Sequence, residues 1–70
     1  MERLLIHIER TVSGWQVNES GRTRYSSFVR EQALEAADSI ALGRHFSTGT
    51  PVAVVMDVGA RESVLLFQHG

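Results

Sequence analysis

The stretch GWQVNESGRTRYSSFVREQALEAADSIA, from Gly14 to Ala41, contains the clearest change of hydrophobic period in the chain. Its first residues, from Trp15 to Asn18, alternate apolar and polar side chains, which is the period of a β-strand. From Val29 onward the apolar side chains recur about every 3.6 residues, as they do along one side of an amphipathic helix. The stretch therefore predicts strands that are followed by a helix.

The chain before the helix predicts three strands. Leu4, Ile6 and Ile8 alternate with more polar neighbours and predict the first of them. A turn around residues 11–14 leads to the second strand, and Gly21 supplies the glycine for a tight reversal before the third. The three strands are expected at residues 4–8, 15–18 and 23–28.

The predicted helix starts near Val29 and has one apolar face that is mostly alanine. This face contains Val29, Ala33, Leu34, Ala36, Ala37, Ile40 and Ala41. Small alanine side chains permit close approach, so the helix is expected to lie tightly on a sheet. Gly43 is predicted to end the helix as its left-handed C-cap, and residues 44–51 are predicted to form a connecting loop.

Two further strands, at residues 52–58 and 62–67, are predicted to form a hairpin around Gly59, Ala60 and Arg61. The fold class that results is α+β: a mainly antiparallel sheet of four to five strands with one amphipathic helix on one face, in the order ββ(β)αββ. Seventy residues suffice for one small domain, because a chain of this length buries only about 60% of its unfolded surface.

The last hairpin is more apolar than one helix can cover. Val64 and Leu66 are expected on one face of its second strand, and Leu65 and Phe67 on the other. Large exposed apolar patches usually mark interfaces, so we expect a homodimer with Val55, Val64 and Leu66 as candidate self-association residues. The alternative is that the chain end or the long loop folds over the second face.

The composition limits the classes of partner. The chain has no cysteine, so it has neither disulfides nor cysteine-based zinc sites. Seven basic and eight acidic residues give a formal net charge of −1, which creates no overall attraction to nucleic acid or anionic membranes. The first residues do not form a signal peptide and no apolar run has membrane-spanning length, so a soluble cytoplasmic protein is expected.

A local basic cluster is the candidate for nucleic-acid binding. Arg22, Arg24 and Tyr25 lie on one predicted turn and strand, where the arginines could contact phosphates and the tyrosine could stack on a base. Glu19 is close in sequence and dilutes the charge. The alternative is that the arginines are solvated and protect an edge strand from aggregation.

No other residues predict a catalytic, cofactor or metal site. His7, His45 and His69 are widely separated, lack a nearby acidic ligand in the sequence, and are expected to be surface or loop residues. Ser26 has no local base, and the glycine elbow of a serine hydrolase is missing. Trp15 is expected to anchor the core rather than to form a binding platform. We therefore expect no enzyme activity.

Several short motifs carry a family resemblance. In order along the chain they are Gly14-Trp15-x-Val17, then Gly21, Arg24, Ser26 and Ser27, then Ala33-Leu34-Glu35-Ala36-Ala37, and finally Ala41. With these motifs the chain resembles, from about Ile8 to Val58, the small bacterial family called domain of unknown function 2188. The resemblance implies the strand, strand, strand, helix, strand order, and it implies no activity, cofactor or catalytic residue.

The segment Gln32-Ala33-Leu34-Glu35-Ala36 carries a second resemblance. It is similar to a segment early in the helix of the antitoxins that bind small toxin ribonucleases, which have the same order of elements. The proline-rich turn before the helix of those antitoxins is absent, since Pro51 is the only proline. The expected function is a noncatalytic binding or assembly module that self-associates, with a nucleic-acid-binding module or an antitoxin-like protein partner as alternatives.

Overall fold

The computed structural model describes residues 3–59 and 61–70, which form one sheet and one helix. The elements are β1 (Leu4–Thr11), β2 (Gly14–Glu19), β3 (Arg22–Ser27), α1 (Arg30–Thr48), β4 (Val52–Gly59) and β5 (Glu62–His69). The predicted α+β class and the order of elements are confirmed, with all five strands present. Ala60, which the sequence placed in the last turn, lies outside the described residues.

The five strands form a single sheet in the order β3-β2-β1-β4-β5. Three of the four pairings are antiparallel, as the sequence predicted, and β1 and β4 are parallel. Parallel neighbours need a long connection, and here β2, β3 and α1 all lie between the paired strands in the sequence. The order leaves β3 and β5 as the two edge strands.

The core lies between the helix and one face of the sheet. Its fully buried members are Ile6, Ile8, Val17, Val52 and Val54 from the strands, and Ala33, Ala37 and Ala41 from the helix. The alanines recur every fourth residue, so they share one side of α1 and let its backbone approach the branched side chains of the sheet. The predicted alanine face is therefore confirmed.

The helix continues beyond its predicted end. Gly43 lies inside α1, and the left-handed C-cap is Gly49, with a φ of 71° and an N–H that donates to the carbonyl oxygen of His45 at 2.8 Å. The prediction that Gly43 ends the helix, with a loop from residue 44, was wrong. The reason is tertiary: Gly43 is exposed, and the next turn is held to the sheet by Arg44, which contacts Glu19 on β2.

The start of the helix has no side-chain cap. Val29 is the N-cap residue, and its side chain makes no capping hydrogen bond. The hydroxyl of Ser27 instead accepts a hydrogen bond from the Val29 N–H at 3.0 Å and donates one to Gln32 Oε1 at 2.6 Å. This bridge fixes the turn between β3 and α1.

The second face of the sheet, called here the open face, is divided into a polar and an apolar half. The register places His7, Glu9 and Asn18 on this face over β1 and β2. Toward β5 the same face carries Leu5, Val55, Leu65 and the buried Ala53. The apolar surplus that the sequence predicted is thus confined to the β5 side.

A bulge in β5 changes which face each side chain occupies. Val54 pairs with Phe67 and Val55 pairs with Leu65, so Leu66 is an extra residue between them. Because of this shift Val64 lies on the same face as Phe67, and Leu66 packs against the core. The prediction that Phe67 lies on the face opposite Val64 was wrong, because strict alternation does not allow for a bulge.

Candidate functional site

The β3 side of the molecule contains a buried carboxylate that two arginines hold. Glu19, at the end of β2, is only 9% exposed. Arg44 from the helix donates from Nε to Glu19 Oε2 at 2.7 Å and from Nη2 to Oε1 at 3.0 Å, while Arg24 from β3 donates from Nη1 to Oε1 at 2.8 Å. These charge-assisted hydrogen bonds tie the helix and the edge strand to β2.

The arginines keep Glu19 ionised. The hydrogen bond from Arg44 is the main cause that lowers the pKa of Glu19, and the charges of Arg44 and Arg24 add to it. Burial acts in the opposite direction but does not prevail. The same hydrogen bond raises the pKa of Arg44, so the ion pair is charged on both sides at neutral pH.

Arg22 lies opposite Glu19 in the register of β2 and β3 but does not share its carboxylate. Within residues 3–59 and 61–70, the Arg22 side chain makes neither a hydrogen bond nor an ion pair. It lines a cleft of about 300 Å³ whose other walls are Leu4, Glu19, Ser20, Arg24, Arg44 and Thr48. This cleft is called here the arginine cleft.

The structure thus joins two of the three predicted nucleic-acid-binding residues. Arg22 and Arg24 both line the arginine cleft, whereas Tyr25 is exposed but does not line it. Arg44, which completes the cleft, was missed because it was assigned to a loop. Its spacing of three residues from Ala41 and seven from Ala37 continues the buried side of the helix and could have identified it.

The opposite edge of the sheet has a different surface. β5 pairs with β4 and, in the described part of the chain, leaves its outer backbone groups without a strand partner. Val64 is 48% exposed and Leu65 is 54% exposed. No charged side chain lies between Glu62 and His69. We call these eight residues, with their unpaired outer side, the β5 edge.

The candidate self-association residues are placed unequally around the β5 edge. Val55 lies on the open face next to Leu65, and Val64 is exposed on the helix-covered face. Leu66 is only partly exposed and packs against the core, so its side chain contributes to stability. Leu65, which was not among the candidates, is the most exposed of the four apolar side chains of β5 because the bulge turns it to the open face.

Three side chains of the open face form a polar cluster. Asp57 accepts hydrogen bonds from His7 Nδ1 at 3.2 Å and from the hydroxyl of Ser63 at 2.7 Å. Burial would raise the pKa of Asp57, but these two hydrogen bonds and the charge of His7 together lower it. A serine hydrolase places its histidine between the acid and the serine. Here the acid is in the middle, so no base activates the hydroxyl.

The other histidines are also held by specific partners. His69 Nε2 donates to Asp38 at 2.7 Å, and His45 Nδ1 donates to the carbonyl oxygen of Thr50 at 2.9 Å. His7 and His69 are partly exposed, and the acid that each contacts is distant in the sequence, whereas His45, which was predicted in the loop, is helical. Strand pairing and helix packing bring these acids near, over separations of 31 and 50 residues that sequence spacing does not reveal.

Trp15 packs against the core cluster, as the sequence predicted, and the Arg10 guanidinium lies 5.9 Å from the centroid of its ring. Among the described residues, no three or more acidic, histidine or cysteine side chains come together as metal ligands would. The helix of the described chain does not combine the length and the apolarity that crossing a membrane requires. The chain matches no protein-family model, no curated protein and no solved structure.

Proposed function

We propose that the protein is a noncatalytic assembly module that forms a homodimer by pairing the β5 edge of one copy with the β5 edge of another. The observation that supports this most strongly is the run of four apolar residues, Val64 to Phe67, in the middle of the eight-residue edge strand, with Val64 and Leu65 about half exposed. An edge of this kind is a template for another strand unless charge or covering chain protects it. A second copy supplies that strand.

The chemistry of the β5 edge favours a second copy over an unrelated strand. In antiparallel pairing around a two-fold axis between Leu65 and Leu66, Val64 of each copy lies opposite Phe67 of the other. The bulge supports this register, because it places Val64 and Phe67 on the same face of the sheet. The pairing also sets the carboxylate of Glu62 opposite the imidazole of His69.

The apolar half of the open face would then be continuous across the dimer. Val55 on β4 pairs with Leu65 on β5, and Leu5 lies on the same face on the next strand, β1. Pairing of two edges joins the two patches and removes part of each from water, which stabilises the association by about 25 cal/mol for each Å² of apolar surface. The backbone hydrogen bonds set the antiparallel direction of the strand pairing, and burial of the apolar side chains provides the affinity of the two copies for each other.

The proposal assigns no catalytic step, because the His7, Asp57 and Ser63 cluster contains no activated nucleophile. The resemblances to the family of unknown function and to the antitoxins stay predictions, as does a cytoplasmic location. A partner protein of the toxin class would compete with the second copy for the same edge. Binding of such a partner is one of the outcomes considered in the test below.

The test is sedimentation equilibrium of the wild-type protein and of Leu65→Glu over a range of concentrations. The wild type is expected to show a concentration-dependent dimer. Leu65→Glu is expected to weaken dimerisation by at least about a hundredfold, because an unpaired charge in an apolar contact costs several kcal/mol. Leu65 is exposed, so the variant should keep the far-ultraviolet circular dichroism of the wild type.

Ser26→Glu is the matched control, since it adds the same charge to an exposed position on the other edge strand. It is expected to dimerise as the wild type does. A wild type that stays monomeric at all concentrations contradicts the proposal. A folded Leu65→Glu that still dimerises also contradicts it. A wild-type monomer that pairs with a toxin through β5 would mean that the partner of this edge is a different protein and not a second copy.

A further inference from the structure

We infer that the arginine cleft binds a phosphate group, with Arg22, Arg24 and Arg44 as its donors. This inference does not rest on the proposed dimer, because the cleft lies beside β3 and the proposed interface lies at β5. The ligand class is a phosphate that is either free, as in a phosphorylated small molecule, or part of a nucleic-acid backbone. Both sources present the same oxygen atoms to a guanidinium.

The charge of the cleft differs from that of the whole protein. Among the described residues, three guanidinium groups and one carboxylate line it, so their charges sum to 3 − 1 = +2 in a chain with a net charge of −1. Glu19 is the sole acidic residue in this described lining, and it is buried behind the arginines that it binds. A ligand that enters from solvent therefore meets the guanidinium groups.

The arginines retain unused donors. Each guanidinium has five N–H groups in a planar fork. Glu19 occupies one nitrogen of Arg24 and two nitrogens of Arg44, and both side chains remain about two-fifths exposed. Within the described chain, Arg22 keeps all five of its donors free of side-chain partners. Glu19 thus holds two guanidiniums in place at the cleft while a third is available, an arrangement that suits the several oxygens of a phosphate.

The hydroxyl groups of Ser20 and Thr48 also line the cleft, and that of Thr48 donates to the carbonyl oxygen of Arg44 at 2.7 Å. The carbonyl groups of the last helical turn carry partial negative charge and oppose an anion. A single guanidinium would barely offset this partial negative charge, so binding of an anion requires more than one arginine at the site. A doubly charged phosphate should accordingly bind better than chloride.

The experiment is a titration of the full chain, labelled with ¹⁵N, with inorganic phosphate at constant ionic strength. Saturable shifts are expected at the side-chain Nε–H groups of Arg22, Arg24 and Arg44, and chloride at the same ionic strength should not produce them. Arg22→Gln is expected to lower the affinity for phosphate by about five- to tenfold, the effect of losing one charge-assisted contact. Arg22 has no side-chain partner in the described chain, so this variant should keep the wild-type amide spectrum.

Arg30→Gln is the matched control, because it removes the same charge about 21 Å away at the other end of the helix. It should bind phosphate as the wild type does, and so should Leu65→Glu at the distant edge. The inference is overturned if inorganic phosphate gives no saturable shift. It is also overturned if Arg30→Gln loses as much affinity as Arg22→Gln, since the attraction would then be unspecific.

A short single-stranded oligonucleotide separates the two sources. If it binds at least tenfold more tightly than inorganic phosphate, competes with phosphate for the three arginines and loses affinity steeply with salt, the source is a nucleic-acid backbone. If it binds no more tightly, the source is a free phosphate or a phosphorylated small molecule. Either result supports the phosphate site.

Discussion

The two edges of the sheet are built in opposite ways. β3 has two arginines, and its neighbour β2 supplies the carboxylate of Glu19 that binds one of them and also the helix. β5 has no charged side chain between its first residue and its last histidine, and its exposed residues include the apolar Val64 and Leu65. Both are outer strands of the same sheet, so the difference lies in the side chains rather than in the topology.

We propose on this basis that the two edges serve different partners. Charge on an edge strand discourages pairing with another strand, because pairing would bury the charge. Charge also attracts anions, so the β3 edge suits a small phosphate-bearing ligand. The β5 edge lacks such protection and suits a strand. A small domain can in this way combine, in one sheet, an edge that is protected from strand pairing and an edge that is available for it.

The largest effect on stability is expected from the glycine that anchors β3. A Cβ atom at Gly14 would lie 2.5 Å from the carbonyl oxygen of Ser27, and Gly14 has a φ of 131°, which side chains disfavour. Gly14→Ala should therefore lower the free energy of unfolding by about 3 kcal/mol, from steric overlap and backbone strain together. Urea unfolding measures this change.

Gly59 on the β5 side is the control for this prediction. A Cβ atom there would meet nothing within 4 Å. Gly59→Ala should change the free energy of unfolding by less than about 0.5 kcal/mol, as surface substitutions usually do. Equal effects of the two substitutions would show that the close approach at β3 does not anchor that edge.

A smaller effect is expected from the carboxylate beneath the arginines. Glu19→Gln removes the negative charge that Arg24 and Arg44 contact and should cost about 2 kcal/mol at neutral pH. The pKa of Glu19 in the folded protein is below its ordinary value of 4.5. Its stabilising contribution is therefore fully present above pH 4.5 and is lost as the pH falls through the lower, folded pKa.

The difference in stability between the wild type and Glu19→Gln should consequently shrink toward zero in acid, which urea unfolding between neutral and acidic pH can follow. Asp57 also has a lowered pKa, but it titrates in both proteins and cancels in this difference. Glu35→Gln, on the exposed side of the helix, is the control and should change the free energy of unfolding by less than about 0.5 kcal/mol at neutral pH. A difference for Glu19→Gln that does not depend on pH would contradict the ion-pair explanation.

The sequence predicted the features that depend on local patterning. Two patterns report burial directly, namely the alternation of Leu4, Ile6 and Ile8 and the four-residue spacing of Ala33 and Ala37. Side chains that recur with the period of their strand or helix lie on one face of it, and that face packs against the core. These patterns were enough for the class, the order of elements and the buried face of the helix. They also indicated that apolar surface would remain near the last hairpin.

The features that sequence reasoning missed depend on contacts between distant residues. Gly43 has the local signature of a helix end, but the bond from Arg44 to Glu19 keeps the next turn helical over a separation of 25 residues. The bulge at Leu66 arises from pairing with β4 and not from any property of leucine. The arginine cleft was missed because of the first of these errors, since its third donor, Arg44, lies beyond the predicted end of the helix.

Amide hydrogen exchange of the two edge strands, measured at increasing protein concentration, tests the contrast between them most directly. The account predicts that outward-facing amides of β5 become protected as the concentration rises, that those of β3 do not change, and that Leu65→Glu abolishes the gain. Exchange in β5 that stays constant at every concentration, or protection that appears on β3 instead, would contradict it.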